Sequence, residues 1–449
     1  MSRVVHDKKR PNDDKTTQIF EEILFVKSKS TTFVGRVCVC ALHRARTRAY
    51  KEDRAKGYRA RVEVMKRSRT IGFDARYANV GDTTMSTYAR YVISAMADAC
   101  PRYCYFRMYV PHNEQNDEYD TIAQRANVES LLPDGGIWRK IPWLWNLTSI
   151  GRDMERGDVE LYHSLTPSLP FGLARRNIRS IVTVHSLNFL RLRGHGKRPS
   201  SIYRRIALAD TLRRADRIIA VSQCVKRDIV HLMHIDSDKI DVIYRGCHQR
   251  FHEPLSNEQV ARAIKRYNLP EKYILFRGTQ HAYKNISHLV EALPHISPDI
   301  HLVCAGRATS HTEHVLHRIK SLGLEERVHM LYGAAEEDMP AIYHNAMIFV
   351  MPSRYEGFSI EIVEALTMGI PVIAARGSSL EEAGGPDSVY VTASDHKELA
   401  MAVEELAGDS QRREAMSAAG REYASRFRAE LMAYNIQNCY RRIGIDIKG

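Results

Sequence analysis

Several absences narrow what this chain can be. It has no uninterrupted apolar run of about 18 residues, the length a helix needs to cross a bilayer, so no span is expected. Its opening residues, MSRVVHDKKRPNDDK, lack the apolar centre of a secretory leader, which points to the cytosol. Eight cysteines are present, but none stands in a C-x-x-C pair or a zinc-finger spacing. They are therefore expected to be reduced packing thiols. Cys100 and Cys104 flank "PRY" and are expected on one helix face, too few ligands for a metal. No G-x-G-x-x-G follows any apolar run, which argues against a nicotinamide-dependent dehydrogenase.

The chain is basic. Its 449 residues carry 66 Lys+Arg against 53 Asp+Glu, a net charge of +13. The excess is uneven, because residues 1–64 alone hold 16 basic and 8 acidic side chains. A basic arm can meet nucleic acid or an anionic membrane surface. This one has neither an RNA-binding aromatic pattern nor a zinc motif, which disfavours nucleic acid. It also shows no sustained period of 2 or 3.6, so residues 1–64 are expected to be a disordered, dispensable extension. The milder excess in the rest suits peripheral contact with the inner face of a membrane.

Beyond Met65, apolar runs alternate with amphipathic stretches. "TIGFDAR", "CYFRMYVP", "VELYHS", "RSIVTVHS", "DRIIAVS" and "KIDVIYRG" read as strands separated by helical segments such as "MSTYARYVISAMADAC". A second series starts near Tyr273 with "YILFRG", "IHLVCAG", "RVHMLYG", "MIFVMPS" and "IPVIAA". This alternation predicts α/β architecture with parallel sheets, and the length suits two domains. The expected boundaries are residues 65–250, 251–430 and a closing helix in 431–449 that could pack back on the first domain. The linker is expected near Gly246–Asn257.

The stretch "SRYEGFSIEIVEA", Ser353 to Ala365, carries the chemistry. It follows a buried strand and opens a helix near Ser359, whose free N–H groups and partial positive charge suit a pyrophosphate. Gly357 lets backbone approach a ligand, and Gly369 is the expected helix stop. Glu364 lies roughly 7.5 Å along the helix from Ser359, where a carboxylate can accept two hydrogen bonds from a ribose diol. Glu356 precedes the helix and can hold a sugar hydroxyl. Taken alone, two glutamates eight positions apart equally describe a solvated helix.

"MPSRYEGFSIEIVEALTMGIPVIAA" resembles the signature of the family 4 retaining glycosyltransferases, a group 1 family with the GT-B fold of two Rossmann-like domains facing across a cleft. "YILFRGTQHAYKNISHLVEAL", "RVHMLYGAAEEDMPAIYHNA", "ADRIIAVSQCVKRDI" and "KIDVIYRGCHQRF" resemble further segments of it, and the likeness covers most of residues 69–430. The resemblance implies a hexosyltransferase of polysaccharide biosynthesis, using a nucleotide-diphosphate-sugar such as a mannose donor and a glycan or lipid-linked acceptor. It implies that Glu356 contacts the donor sugar, Glu364 the ribose, and Lys284 the diphosphate. Gly357, Phe358 and Ser359 would offer backbone N–H groups, and backbone near Tyr332 and Gly333 would meet the base. His163 and His185 match family histidines facing the cleft, though a lone histidine at a strand end is as often a structural hydrogen-bonding group. Front-face displacement with retention is implied, with no protein nucleophile.

The departures are specific. The family's R-K-N is Tyr283-Lys284-Asn285 here, its H-D is His185-Ser186, and Ser359 and Glu361 replace Gly and Pro. Its first-domain glycine-rich loop appears as Thr83-Thr84-Met85-Ser86-Thr87-Tyr88, which raises a second reading: a non-catalytic sugar-nucleotide-binding protein. No metal cofactor is expected. Asp236-Ser237-Asp238 has the D-x-D pattern that holds a cation in glycosyltransferases of the other major fold, but it lies at the amino end of a strand, away from ligands.

Overall fold

The computed structural model describes residues 69–447, apart from 82, 102, 113–115, 134–137, 139–140, 142–143 and 193–198. The basic stretch 1–64, with Cys38 and Cys40, lies outside the described residues.

Two parallel sheets form the molecule. The first contains β1 (Arg69–Asp74), β2 (Cys104–Tyr109), β3 (Val128–Leu131), β4 (Leu161–Ser164), β5 (Arg179–Val184), β6 (Arg217–Ala220) and β7 (Ile240–Val242), in the order β3-β2-β1-β4-β5-β6-β7. The second contains β8 (Tyr273–Arg277), β9 (His301–Gly306), β10 (Val328–Tyr332), β11 (Ile348–Met351), β12 (Val372–Ala375) and β13 (Val389–Val391), in the order β10-β9-β8-β11-β12-β13. Helices cover both faces, so central strands are buried on both sides and read as continuous apolar runs. These are the two Rossmann-like halves that the α/β alternation implies.

Each half has its own core. The first gathers Ile71, Phe73, Phe106, Val182 and Ile218; the second gathers Ile274, Phe276, Val303, Phe349 and Val363. The helix Thr84–Ala99 begins with a capping box, in which Thr83 accepts from Ser86 N at 3.1 Å while Ser86 Oγ accepts from Thr83 N at 2.6 Å. The final helix, Ala429–Arg441, returns to the first half and places Met432, Ile436 and Tyr440 in its core. Among the described residues no helix is long and apolar enough to cross a membrane.

Some elements escape the periodicity. The edge strands β3 and β13 are only 4 and 3 residues long. The helix Ser410–Ala424 buries only Met416, Gly420 and Ala424, so its apolar stripe is too thin to stand out in the sequence. Cys100 and Cys104 do not share a helix face: Cys100 caps the helix Thr84–Ala99 and Cys104 opens β2. A proline one residue after the helix makes that break. All six described cysteines are free and buried.

The returning helix carries one polar bond that the core depends on. His163, on β4, is completely buried, with Nδ1 2.8 Å from the Tyr440 hydroxyl and Nε2 3.1 Å from Thr183 Oγ1. Tyr440→Phe leaves one imidazole nitrogen without a partner in an apolar core. It should lower unfolding free energy by about 1–3 kcal/mol in urea titration, with the secondary structure retained.

Candidate active site

The second sheet reverses its order between β8 and β11, and ligands in such sheets sit beyond the carboxyl ends of the strands at the reversal. β8 and β11 pair with Ile274 opposite Ile348 and Leu275 opposite Phe349, which brings the ends of both strands together. The loops that leave them are tied by Arg354 N donating to Tyr283 O at 2.9 Å and Asn285 Nδ2 donating to Pro352 O at 3.1 Å.

Lys284, from the first loop, is buried with its ammonium 2.8 Å from Glu356 and 3.9 Å from Glu361. Glu364, in the helix Ile360–Thr367, is buried as well. It is bonded by the guanidinium of Arg277, the last residue of β8, and accepts from the Tyr343 hydroxyl at 3.1 Å. Arg277 also donates to both Glu336 oxygens, at 2.8 and 2.7 Å. The two glutamates of the motif are thus divided between two buried cations, Glu356 to Lys284 and Glu364 to Arg277.

Burial and these partners set the charges. Burial raises the Glu356 carboxyl, and Lys284 offsets part of the rise. Burial also pushes Glu361 up, but Lys284 and a backbone N–H hold it below the usual carboxylate range. Glu364 is pushed up to about 7 by burial, against the pull of Arg277. Burial pulls Lys284 down, yet Glu356 and Glu361 outweigh it and keep the ammonium charged.

The rest of the motif joins the two halves. The Gly357 carbonyl accepts from Ser222 Oγ at 2.6 Å, and a Cβ at Gly357 would run into the His185 carbonyl oxygen. Only glycine permits that approach. Phe358 packs against both cores, its ring 5.4 Å from Tyr244 and 5.6 Å from Phe427. Ser359 is the residue before the helix, but its hydroxyl donates to Glu361 at 3.1 Å instead of capping backbone. Gly369 follows the helix at φ +75°, the left-handed stop its position predicts.

From the first half, His185 presents its ring edge-on to Tyr88 at 4.4 Å, and its Nε2 lies 2.9 Å from the Leu165 carbonyl. That carbonyl assigns the proton to Nε2 and leaves Nδ1 as an acceptor. Burial lowers His185 to about 4, so the ring is neutral at pH 7. His163 does not reach the cleft: both nitrogens are engaged in the core, and burial lowers it to about 3. Its alternation on β4 turns the side chain to the face that the last helix covers, which no local pattern reveals.

A cavity of about 1360 Å³ opens beside these groups, with Thr84, Arg245, Gly306, Gly333, Glu361 and Glu364 in its wall. Gly333 lines it, whereas the Tyr332 side chain is exposed. The residues that stand where the family has a glycine-rich loop instead form the capped start of the helix Thr84–Ala99, and Thr83, Thr84 and Thr87 face the cavity. Asp236-Ser237-Asp238 is exposed at the amino end of β7, with Asp236 accepting from Asp238 N at 2.9 Å.

Three residues at the site are not evident from the motifs. Arg277 is legible only as a charge at the end of the apolar run "YILFRG". Arg245 lines the cavity with a buried Nε that has no partner among the described residues. Gln280 is 1% exposed, and neither end of its amide has a partner among the described residues.

Glu364 makes stability depend on pH. Its folded pKa lies above the ordinary carboxylate value, so its favourable contribution is complete below about pH 4.5 and lost as pH rises through about 7. Glu364→Gln removes that component. The stability of wild type relative to Glu364→Gln should fall by roughly 3 kcal/mol between pH 4.5 and 7.5, as read from urea unfolding across that range. A pH-independent difference would remove Glu364 as a buried titrating group.

A model described as glycosyltransferase family 4 matches residues 85–249, and one described as glycosyl transferases group 1 matches residues 257–423. O-antigen chain mannosyltransferase B of Escherichia coli is 26% identical over 277 residues, covering 60% of this chain and 72% of that protein. A D-inositol 3-phosphate glycosyltransferase of Corynebacterium kroppenstedtii is 27% identical over 287 residues, covering 60% and 64%. A third relative, from Corynebacterium aurimucosum and of the same description, is covered over 60% of its length. The chain thus spans about two thirds of the curated relatives it matches. Among solved structures, Anabaena HepE in complex with UDP and glucose superposes with a TM-score of 0.67 at 17% identity, over 84% of this chain and 100% of that one. Sucrose-phosphate synthase from Thermosynechococcus elongatus gives 0.69 at 20% identity, over 84% and 99%. The structural likenesses carry the GT-B fold, the two models account for both halves in order, and the chain belongs to the group 1 glycosyltransferases.

Proposed function

We propose that the protein is a retaining hexosyltransferase that moves mannose or a similar sugar from a nucleotide-diphosphate-sugar to a glycan or lipid-linked acceptor. The observation that carries this reading is the buried Lys284–Glu356 pair at the reversal of the second sheet, beside a cavity with Arg245 in its wall. Lys284 releases Glu356 to a sugar hydroxyl and turns to the diphosphate, which stabilises the leaving group. Arg245 adds a second cation there. Glu364 holds the ribose once Arg277 shifts toward Glu336, and Gly333 backbone meets the base. His185 Nδ1 accepts from a hydroxyl of the transferring sugar. Gly357, Phe358 and Ser359 supply backbone N–H groups at the start of the helix Ile360–Thr367.

In the transfer, the acceptor oxygen forms a bond to the anomeric carbon on the face the diphosphate leaves. The carbon–oxygen bond to phosphate breaks, its electron pair stays on the diphosphate, and a phosphate oxygen takes the acceptor's proton. No protein nucleophile takes part. No divalent cation takes part in this reading, because Lys284, Arg245 and the helix start neutralise the diphosphate and Asp236-Ser237-Asp238 lies at the wrong end of its strand.

One observation favours a second reading, sugar-nucleotide binding without transfer: a capped helix start replaces the glycine-rich loop. Labelled donor sugars separate the two. Wild type should form a glycoside, undiminished in excess chelator. Glu356→Gln should lower turnover at least about tenfold, roughly 1.4 kcal/mol of transition-state stabilisation, and should also lower the melting temperature, because buried Lys284 loses its nearer carboxylate. Binding of the donor with no product from any acceptor would support the second reading, and turnover restored only by manganese would overturn the metal-free mechanism.

A further inference from the structure

A second cavity, of about 1070 Å³, lies between the two halves. Its wall includes Arg191, Arg227, His281, His311 and Arg354, with Asp228 as the one carboxylate among its lining residues. That carboxylate is already engaged, since Arg191 bonds one oxygen and the Tyr355 hydroxyl donates to the other at 2.6 Å. Arg227 approaches Glu382 only to 3.8 Å. Arg354 has no carboxylate partner among the described residues, and its charge helps to push His311 down after burial and His314. His281 is likewise lowered, by burial and then by Lys284. The cavity therefore carries uncompensated positive charge.

Its position relative to the donor site is equally specific. Lys284 and Glu356 have neighbours in both cavities: Gly278, Glu361 and Glu364 line the first, and Tyr283, Arg354 and Tyr355, the neighbours of the pair along the chain, line the second. Two residues of the second cavity, Arg354 and Tyr355, directly precede Glu356 in the chain.

We infer that this second cavity binds a phosphate or diphosphate carried by the acceptor, with Arg354 and Arg227 as its main counter-charges. The inference rests on the transferase reading and names the acceptor's chemical class as an anion. Guanidinium groups suit phosphate because their fork of N–H donors matches its oxygens. A phosphate seated there places the rest of the acceptor toward the Lys284–Glu356 pair, where its hydroxyl can attack.

The test uses the full chain. Saturating UDP or GDP, whichever binds, first fills the donor cavity, and inorganic pyrophosphate is then titrated by calorimetry. Wild type should bind one further equivalent. Arg354→Glu and, separately, Arg227→Glu should weaken that step at least about tenfold while leaving the nucleotide affinity within about twofold. Both side chains are exposed, so folding should survive, and thermal melting checks this. No second equivalent, or equal binding by both variants, would overturn the inference. If neither nucleotide binds wild type, the transferase reading fails by itself, and the variants still decide whether pyrophosphate sits in this cavity. Two further probes separate the sources of phosphate. Binding of vesicles of one-quarter phosphatidylglycerol in phosphatidylcholine, lost in Arg354→Glu, assigns a lipid-borne group, whereas competition by a soluble hexose phosphate alone assigns a soluble acceptor.

Discussion

Two buried cations compensated by carboxylates hold the site together. Lys284 and Arg277 come from the end of β8 and its loop, and Glu356, Glu361 and Glu364 come from the segment after β11. Removing one member of a buried pair leaves an uncompensated charge, which is far costlier than losing the attraction itself. The two loops therefore hold each other in place before any ligand arrives. On the proposed reading, an incoming diphosphate would exchange carboxylate partners for phosphate ones. The cations would bring no desolvation cost of their own to that exchange, since they are already out of water.

The second constraint is the approach of the two halves. The Gly357 carbonyl meets Ser222, the first residue of a helix cap, and Glu382 accepts from Gln223 N and Cys224 N, both at 2.7 Å. A carboxylate from the second half thus satisfies the free N–H groups at the start of the helix Gln223–Met233 in the first, where the helix dipole favours negative charge. Asp228, one turn further on, bonds Tyr355. These polar contacts surround the segment that carries Glu356, so its geometry depends on how the halves meet. A wedge of apolar side chains, Tyr244, Phe358 and Phe427, accompanies them.

Two cavities near one buried ion pair, the second of them cationic, give the molecule a direction. Glu364, Arg277 and Gly333 line the first cavity, and arginines from both halves line the second. On the proposed reading, such an arrangement would hold two anionic substrates in separate cavities. The threonines at the start of the helix Thr84–Ala99 bring side chains to the wall of the first cavity where glycines would bring only backbone.

The sequence by itself determined the layered α/β fold. Buried parallel strands must be continuously apolar, and the helices between them must carry one apolar face, so both are written locally. It determined Gly369 as a helix stop and Ser359 as the residue before the helix, because backbone conformation there is a property of a few adjacent residues. It also brought Glu356 and Glu364 forward together, through a motif that spans one strand, one turn and one helix, while Lys284 came forward from a separate segment through the family resemblance. Only the tertiary structure decided what each of them touches. Arg277 lies 87 residues from Glu364, and its role follows from the pairing of β8 with β11. The fate of His163 was set 277 residues away, by Tyr440 on the returning helix. Ion pairs and buried hydrogen bonds are made across the chain by packing, and no local periodicity records them; the cationic second cavity exists only because helices of the first half meet loops of the second.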